Sequence, residues 1–324
     1  MKTHNILFIQ INDVIRIRFT MMIIEDGLQG GKMITYCQFI AAVKQKVESN
    51  INRNVRVEVH ITLKNNGKER RGLVFIEEGI NISPTIYLEE FYQNFREGKA
   101  LDEIIKDILE VYANSKFSKK WETEKLRVFE NVRHNVLCKM INREKNREFL
   151  KETPYIPFFD LAIVCYVLIE LNEHGIATMP VKKAQLEMWG IKENELFQVA
   201  KRNVQKQFPA ELRQMKDVIA EMIGMEVQDA EDDFMYVLSN EMRSFGAVCI
   251  TYDGVPELVG IELEENYYII PSSVHEMIIV PESKAPSREE MERMVTEINE
   301  TQVEEEEVLS NRVYFYDIRA KKMS

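Results

Sequence analysis

The densest group of reactive side chains is Pro271-Ser272-Ser273-Val274-His275-Glu276. Nucleophilic catalysis needs a hydroxyl within reach of a base, and a third group that orients the base. Ser272 or Ser273, His275 and Glu276 supply those types. Adjacency does not supply the geometry: in an extended trace Ser273 and His275 share a face while Glu276 points the other way. No Gly-x-Ser-x-Gly elbow is present. A structural role accounts for the same residues and is preferred here: a serine caps the turn after Pro271, and His275 bonds a backbone carbonyl. Asp160 could join His275 and Glu276 around Zn²⁺ or Mn²⁺, but no spacing demands it. The five His are scattered without an i, i+4 pair, and Cys37, Cys138, Cys165 and Cys249 contain no Cys-x-x-Cys, so they read as reduced core thiols. No Gly-x-Gly loop suggests a phosphate-bearing cofactor. No cofactor and no metal are expected.

A second polar set is Asn81, Ser83, Thr85 and Tyr87, alternating with Ile82, Pro84 and Ile86. It reads as a solvent-facing strand, and could display a strip for a peptide strand to add onto an edge. Pro84 cannot donate to a ladder, so this strand lies at an edge or bends.

Both groups need elements to hold them. Tyr267 to Ile270 and Met277 to Val280 are short apolar runs with the content of buried strands, and they clamp the Ser-Ser-His-Glu block. Upstream, Thr35 and Gln38 form a capping box for an amphipathic helix over 36–49. Val55, Val57, Val59, Ile61 and Leu63 alternate with polar residues as a half-buried strand. Asn66-Gly67 then signals a hairpin to a partner strand over 69–77. A third strand over 81–88 and a helix after Gly98 complete a small unit. Residues 120–148 read as one long helix, with Leu126, Phe129, Val132, Val136 and Met140 as its stripe. Leu161 to Ile169 is a strand buried on both faces, with Asp160 at its mouth. His174-Gly175 turns into a strand over 176–181, and helices follow over 184–189, 193–206 and 210–224. Glu226 to Asp233 is a loop, Met235 to Leu238 a strand, and 245–262 mainly helix. Ser287 and Glu290 cap a helix to about 300, Glu304 to Glu307 is a solvated charge run, and Val313 to Ile318 is a closing strand.

The fold class is therefore α+β: a small helix–three-stranded meander–helix unit joined by a long helix to a larger mixed α+β domain. The expected divisions are 33–115, a connector helix over 116–150, and 151–324. Residues 1–32 stand apart. Gln29-Gly30-Gly31-Lys32 before Met33 is what a translated ribosome-binding sequence would read as, so the first 32 residues are either an over-extended start or a weakly ordered arm.

Composition narrows the partners. The chain has 324 residues and a net charge of −11, which repels phosphate backbones, so nucleic acid is not expected. No run approaches the ~20 apolar residues of a membrane span, and no signal peptide is evident. A cytoplasmic location follows.

Five motifs, Lys64-Asn65-Asn66-Gly67, Asn81 to Leu88, Asp160 to Val164, Pro271 to Glu276 and Val308-Leu309-Ser310, fall in an order that resembles a clostridial, often gut-associated family known as domain of unknown function 5688. The likeness runs from about residue 34 to the end. A weaker likeness to a bacillar family covers the second half. Neither implies an activity. The expected function is a non-catalytic protein- or peptide-binding adaptor module. The alternative is a hydrolase or metal-dependent enzyme centred on Ser273, His275 and Glu276.

Overall fold

A computed structural model describes residues 34–77, 85–114, 123–172, 175–224 and 234–324. The start-site question, Asn81, Ser83, His174 and the acidic loop over 226–233 lie outside them. The chain is mixed α+β, with antiparallel sheets throughout.

The first core forms around a three-stranded sheet. Helix α1 (Tyr36–Asn50) begins with the expected capping box between Thr35 and Gln38, and buries Phe39, Ile40, Val43 and Val47. Strands β1 (Val55–Leu63) and β2 (Glu69–Glu77) pair in register, and β3 (Thr85–Tyr87) adds to β2. Helix α2 (Glu89–Arg96) was not foreseen. Its place follows from Phe91, Tyr92 and Phe95, which pack with helix α3 (Leu101–Asn114) on this core.

The expected long helix over 120–148 does not form. A short helix α4 (Phe129–Val132) is followed by strand β4 (Val136–Asn142), six of whose seven residues are buried. The helical spacing of Val132, Val136 and Met140 was coincidental. A run that is apolar at consecutive positions buries both faces as a strand, whereas a solvated helix would expose Leu137, Cys138 and Ile141. After α5 (Arg147–Glu152), strands β5 (Tyr155–Phe158), β6 (Leu161–Asn172) and β7 (Gly175–Pro180) complete a second sheet in which β6 pairs with β4 on one side and with β5 and β7 on the other.

Helices α6 (Lys183–Trp189) and α7 (Glu193–Gln207) fall where the spacing places them, with Gly190 in the left-handed conformation that ends α6. The helix expected over 210–224 is divided. Residues Ala210–Gln214 form β8, and α8 spans Met215–Ile223. Pairing with β9 (Tyr236–Asn240) satisfies the backbone of 210–214 and overrides its helical pattern. A 3-10 turn over Gly246–Thr251 and α9 (Val255–Leu263) bear out the helical reading of that stretch.

The third sheet contains β8 and β9 together with β10 (Tyr267–Ile270), β11 (Met277–Pro281), β12 (Tyr314–Asp317) and β13 (Lys322–Met323). Alternation divides its side chains cleanly. Tyr267, Ile269, Met277 and Ile279 enter the core shared with β4, β6 and α7. Ile270, Ile278 and Val280 face α8 and α10 (Arg288–Thr301), whose Met215, Val218, Met291 and Val295 cover them. The hairpin is thus fixed from both sides, as its two apolar runs imply.

Candidate functional site

The turn between β10 and β11 is closed by its own side chains. Ser272 N–H donates to the Ile270 carbonyl (2.9 Å), and the buried Ser273 hydroxyl donates to Glu276 Oε1 (2.8 Å). The same hydroxyl accepts from the His275 N–H (3.0 Å). Glu276 is itself buried, and burial, the largest influence, raises its pKa above the ordinary 4.5 even though Ser273 acts the other way. Glu276 also lines a small concavity with Arg213, Ser239 and Arg243. Both arginines reach Glu221 Oε2 at 2.6 Å.

His275 faces away from Ser273. Its ring is half-buried, Nδ1 accepts from the Phe245 N–H (3.3 Å), and Nε2 lies 3.5 Å from Glu307 Oε1. The ring stacks on Phe245 at a centroid distance of 5.8 Å. The expected backbone partner is therefore present, but it is an amide and not a carbonyl. Ser273 and Glu276 are brought together, and His275 joins them through its backbone alone.

Asp160 belongs to a different knot. Its Oδ2 accepts from Ser310 Oγ (2.6 Å) and its Oδ1 from Tyr314 O–H (2.7 Å), which ties the β5–β6 turn to the segment before β12. Burial first, and then Asp160, raise the Tyr314 pKa well above its ordinary value. The joint metal site of Asp160, His275 and Glu276 is not assembled. Among the described residues no group of three or more His, Cys, Asp or Glu is placed to hold a metal ion.

The Asn65-Asn66-Gly67 turn does more than reverse the chain. Asn66, at φ 59°, is buried against the distant part of the molecule. Its Nδ2 donates to the carbonyls of Glu305 and Val308, both at 2.7 Å, and its N–H donates to Asn146 Oδ1 (3.0 Å). Asn65 Nδ2 donates to the Glu306 carbonyl (2.6 Å). Asn146 donates in return to Asn65 and Asn66 (2.9 Å each), and Asn142 to the Leu309 carbonyl (2.6 Å). The charge run over 304–307 is solvated only in part: Glu304 and Glu305 are exposed, whereas Glu306 and Glu307 are half-buried. Glu306 pairs with Arg70 and Glu305 with Lys68, both from the hairpin, and the Glu307 carbonyl accepts from the Val274 N–H (3.0 Å).

Four of the five motifs singled out in the sequence therefore meet along one segment, 305–310. Thr85 and Tyr87 lie elsewhere, on edge strand β3, where the Lys64 ammonium covers the Tyr87 ring at 4.1 Å. The residues that sequence reasoning missed are Asn142, Asn146, Lys139 and Phe245. Only Lys139 left a signal, as a lone charge in the apolar run Val136 to Ile141.

The fold and this junction define an α+β protein whose N-terminal hairpin is docked onto a two-sheet body. The model of a family of unknown function, DUF5688, matches residues 36–318, and the chain belongs to that family. Neither the curated proteins nor the solved structures give a match. Among the described residues no helix is long and apolar enough to cross a membrane.

Proposed function

We propose that the protein is a non-catalytic module that binds a protein or peptide partner by accepting an extended strand on its N-terminal sheet. The observation that carries this reading is the outer edge of β1. Among the described residues no strand pairs with that side of β1, although it is nine residues long. At its far end Ile61 and Leu63 stand 60% and 62% exposed on the face that is buried nearer the helices. An unpaired edge offers a row of backbone donors and acceptors, and two exposed apolar side chains add a foothold for alternate residues of an incoming strand. The opposite edge, strand β3 with Thr85 and Tyr87, is the second place a strand could add; Asn81 and Ser83 of the same polar set lie outside the described residues. The closed Ser273–Glu276 hydrogen bond supports a structural role for the β10–β11 turn over the hydrolase alternative.

The test is selection of linear peptides from a displayed random library on the full chain, followed by amide exchange with the best binder. Binding should slow exchange over 55–63, or over 85–87 if the second edge is used. Ile61→Lys combined with Leu63→Lys should abolish the first. A binder that protects neither edge, or a turnover lost on Ser273→Ala in a folded protein, would contradict the proposal.

A further inference from the structure

The free backbone groups of β1 can be assigned one by one. The Lys64 N–H donates to the Lys68 carbonyl (2.7 Å), which continues the β1–β2 register by one pair. Amide direction alternates along an antiparallel strand, so the even-numbered residues of β1 turn their N–H and C=O toward β2. Those of Val57, Val59, Ile61 and Leu63 point outward, and among the described residues nothing bonds them. Val55 differs, because its N–H donates to the Asn52 carbonyl (2.9 Å). No proline and no bulge interrupts the nine residues of β1, whereas the opposite edge, β3, has only three. Folded proteins usually shorten, bend or cover a long regular edge to keep it from pairing.

The side chains of β1 are complementary to themselves. When two copies run antiparallel about a two-fold axis at Val59, Ile61 faces the partner's Val57 and Leu63 the partner's Val55. The two apolar side chains that stand 60% and 62% exposed then lie beside the apolar face of the other copy. On the wet face Glu58 meets the partner's His60, and Thr62 the partner's Arg56. Glu58 already bonds Arg56 (2.7 Å) and His60 (3.1 Å) of its own strand, so carboxylate and imidazole would alternate across the axis. The two neighbouring registers that keep the outward amides matched are worse. One sets Glu58 against the partner's Glu58. The other sets Arg56 against the partner's Lys64. Like charges directly opposite destabilise a strand pair, so a single register is favoured.

We propose that the occupant of this edge is a second copy of the chain, with β1 paired antiparallel to itself about Val59 and the two three-stranded sheets joined into one. The inference rests on the reading that this edge accepts a strand, and it names the strand. The interface is isologous, so each favourable cross-strand pair occurs twice. One strand pair buries little area, and each chain carries a net charge of −11, so the dimer is a weak one that forms with rising concentration.

The test is sedimentation velocity of the full chain over about 1–300 µM, with amide exchange at both ends of the range. Monomer should give way to dimer as concentration rises. The amides of Val57, Val59, Ile61 and Leu63 should slow in the dimer, and by more than those of Glu58, His60 and Thr62, which β2 already protects. Glu58→Lys or His60→Glu alone should weaken the dimer about fivefold or more, and the two together should restore it. Both side chains are well exposed, at 37% and 51%, so these changes spare the fold. A chain that stays monomeric throughout, a dimer whose outward amides remain unprotected, or a double variant no better than the single ones would each overturn the self-pairing. The peptide selection separates this inference from the reading beneath it. Peptides that protect 55–63 on a chain that stays monomeric would leave strand acceptance standing and remove only the second copy as its occupant.

Discussion

Burial shifts the Glu276 carboxyl toward its protonated form. Burial outweighs the Ser273 hydrogen bond and sets its pKa above 4.5, so the native state holds this proton more tightly than the unfolded chain does. As pH rises from 4.5 toward the raised native value, the unfolded state loses its proton first, and stability falls. Below 4.5 the contribution is fully present. Glu276→Gln keeps an acceptor for Ser273 but cannot ionise. The stability of Glu276→Gln relative to wild type should therefore rise with pH across that window, in urea unfolding at a series of pH values. A difference that stays flat with pH would show that Glu276 ionises in the fold as it does in water. The three buried thiols present the same physics without a switch: burial pushes Cys138 and Cys249 up to about 12 and Cys165 up as well, which leaves them inert near neutrality.

Elements were legible where one pattern dominated. The alternation in β1, the Asn-Gly turn, the capping box of α1 and the apolar runs of β6, β10 and β11 each have one physical reading, and each forms. Residues 120–148 failed because Leu126, Phe129, Val132, Val136 and Met140 satisfy helical spacing across what is really a turn and a strand; only the consecutive burial of Val136, Leu137 and Cys138 distinguishes the two, and that depends on β6 lying alongside. The polar junction was legible only in part. Ser273 and Glu276, which bond each other, and Asp160 were recognisable by type, but the Asp160 partners Ser310 and Tyr314, like the Asn146 partner of Asn66, lie far away in sequence. Gly246 makes the same point in the stretch between β9 and β11. Gly246→Ala should destabilise the protein by about 3 kcal/mol or more, since the added methyl meets the His275 carbonyl and the Asn240 amide, both backbone. Gly254→Ala is a useful contrast. It sits in open space at φ 79°, so its cost is conformational alone, about 1 kcal/mol. Thermal melts that rank the two equally would mean that the close approach at Gly246 is relieved by local movement.

At the scale of the molecule, the first core and the remaining ones are joined at the tip of a hairpin. Asn65 and Asn66 donate to three backbone carbonyls of 305–308, Asn146 closes the ring, and Arg70 and Lys68 add charge pairs at its rim. Buried side-chain amides bound to backbone carbonyls fix one orientation, because each lost bond leaves a polar group without a partner. The β10–β11 turn shares the same segment through the Val274 amide and the Glu307 carbonyl. On this account the Ser-Ser-His-Glu block shapes the seat for the hairpin and does not drive a reaction. The most direct measurement is native-state amide exchange of wild type beside Asn66→Ala, which removes two donors and a residue suited to φ 59°. The substitution should cost about 2–4 kcal/mol. Exchange should quicken together over 64–68, 143–146 and 305–310, with β4 and β6 unchanged. Faster exchange confined to 64–68 would contradict the account, because it would show that the hairpin tip is an ordinary turn and that the segment beneath it holds its place alone.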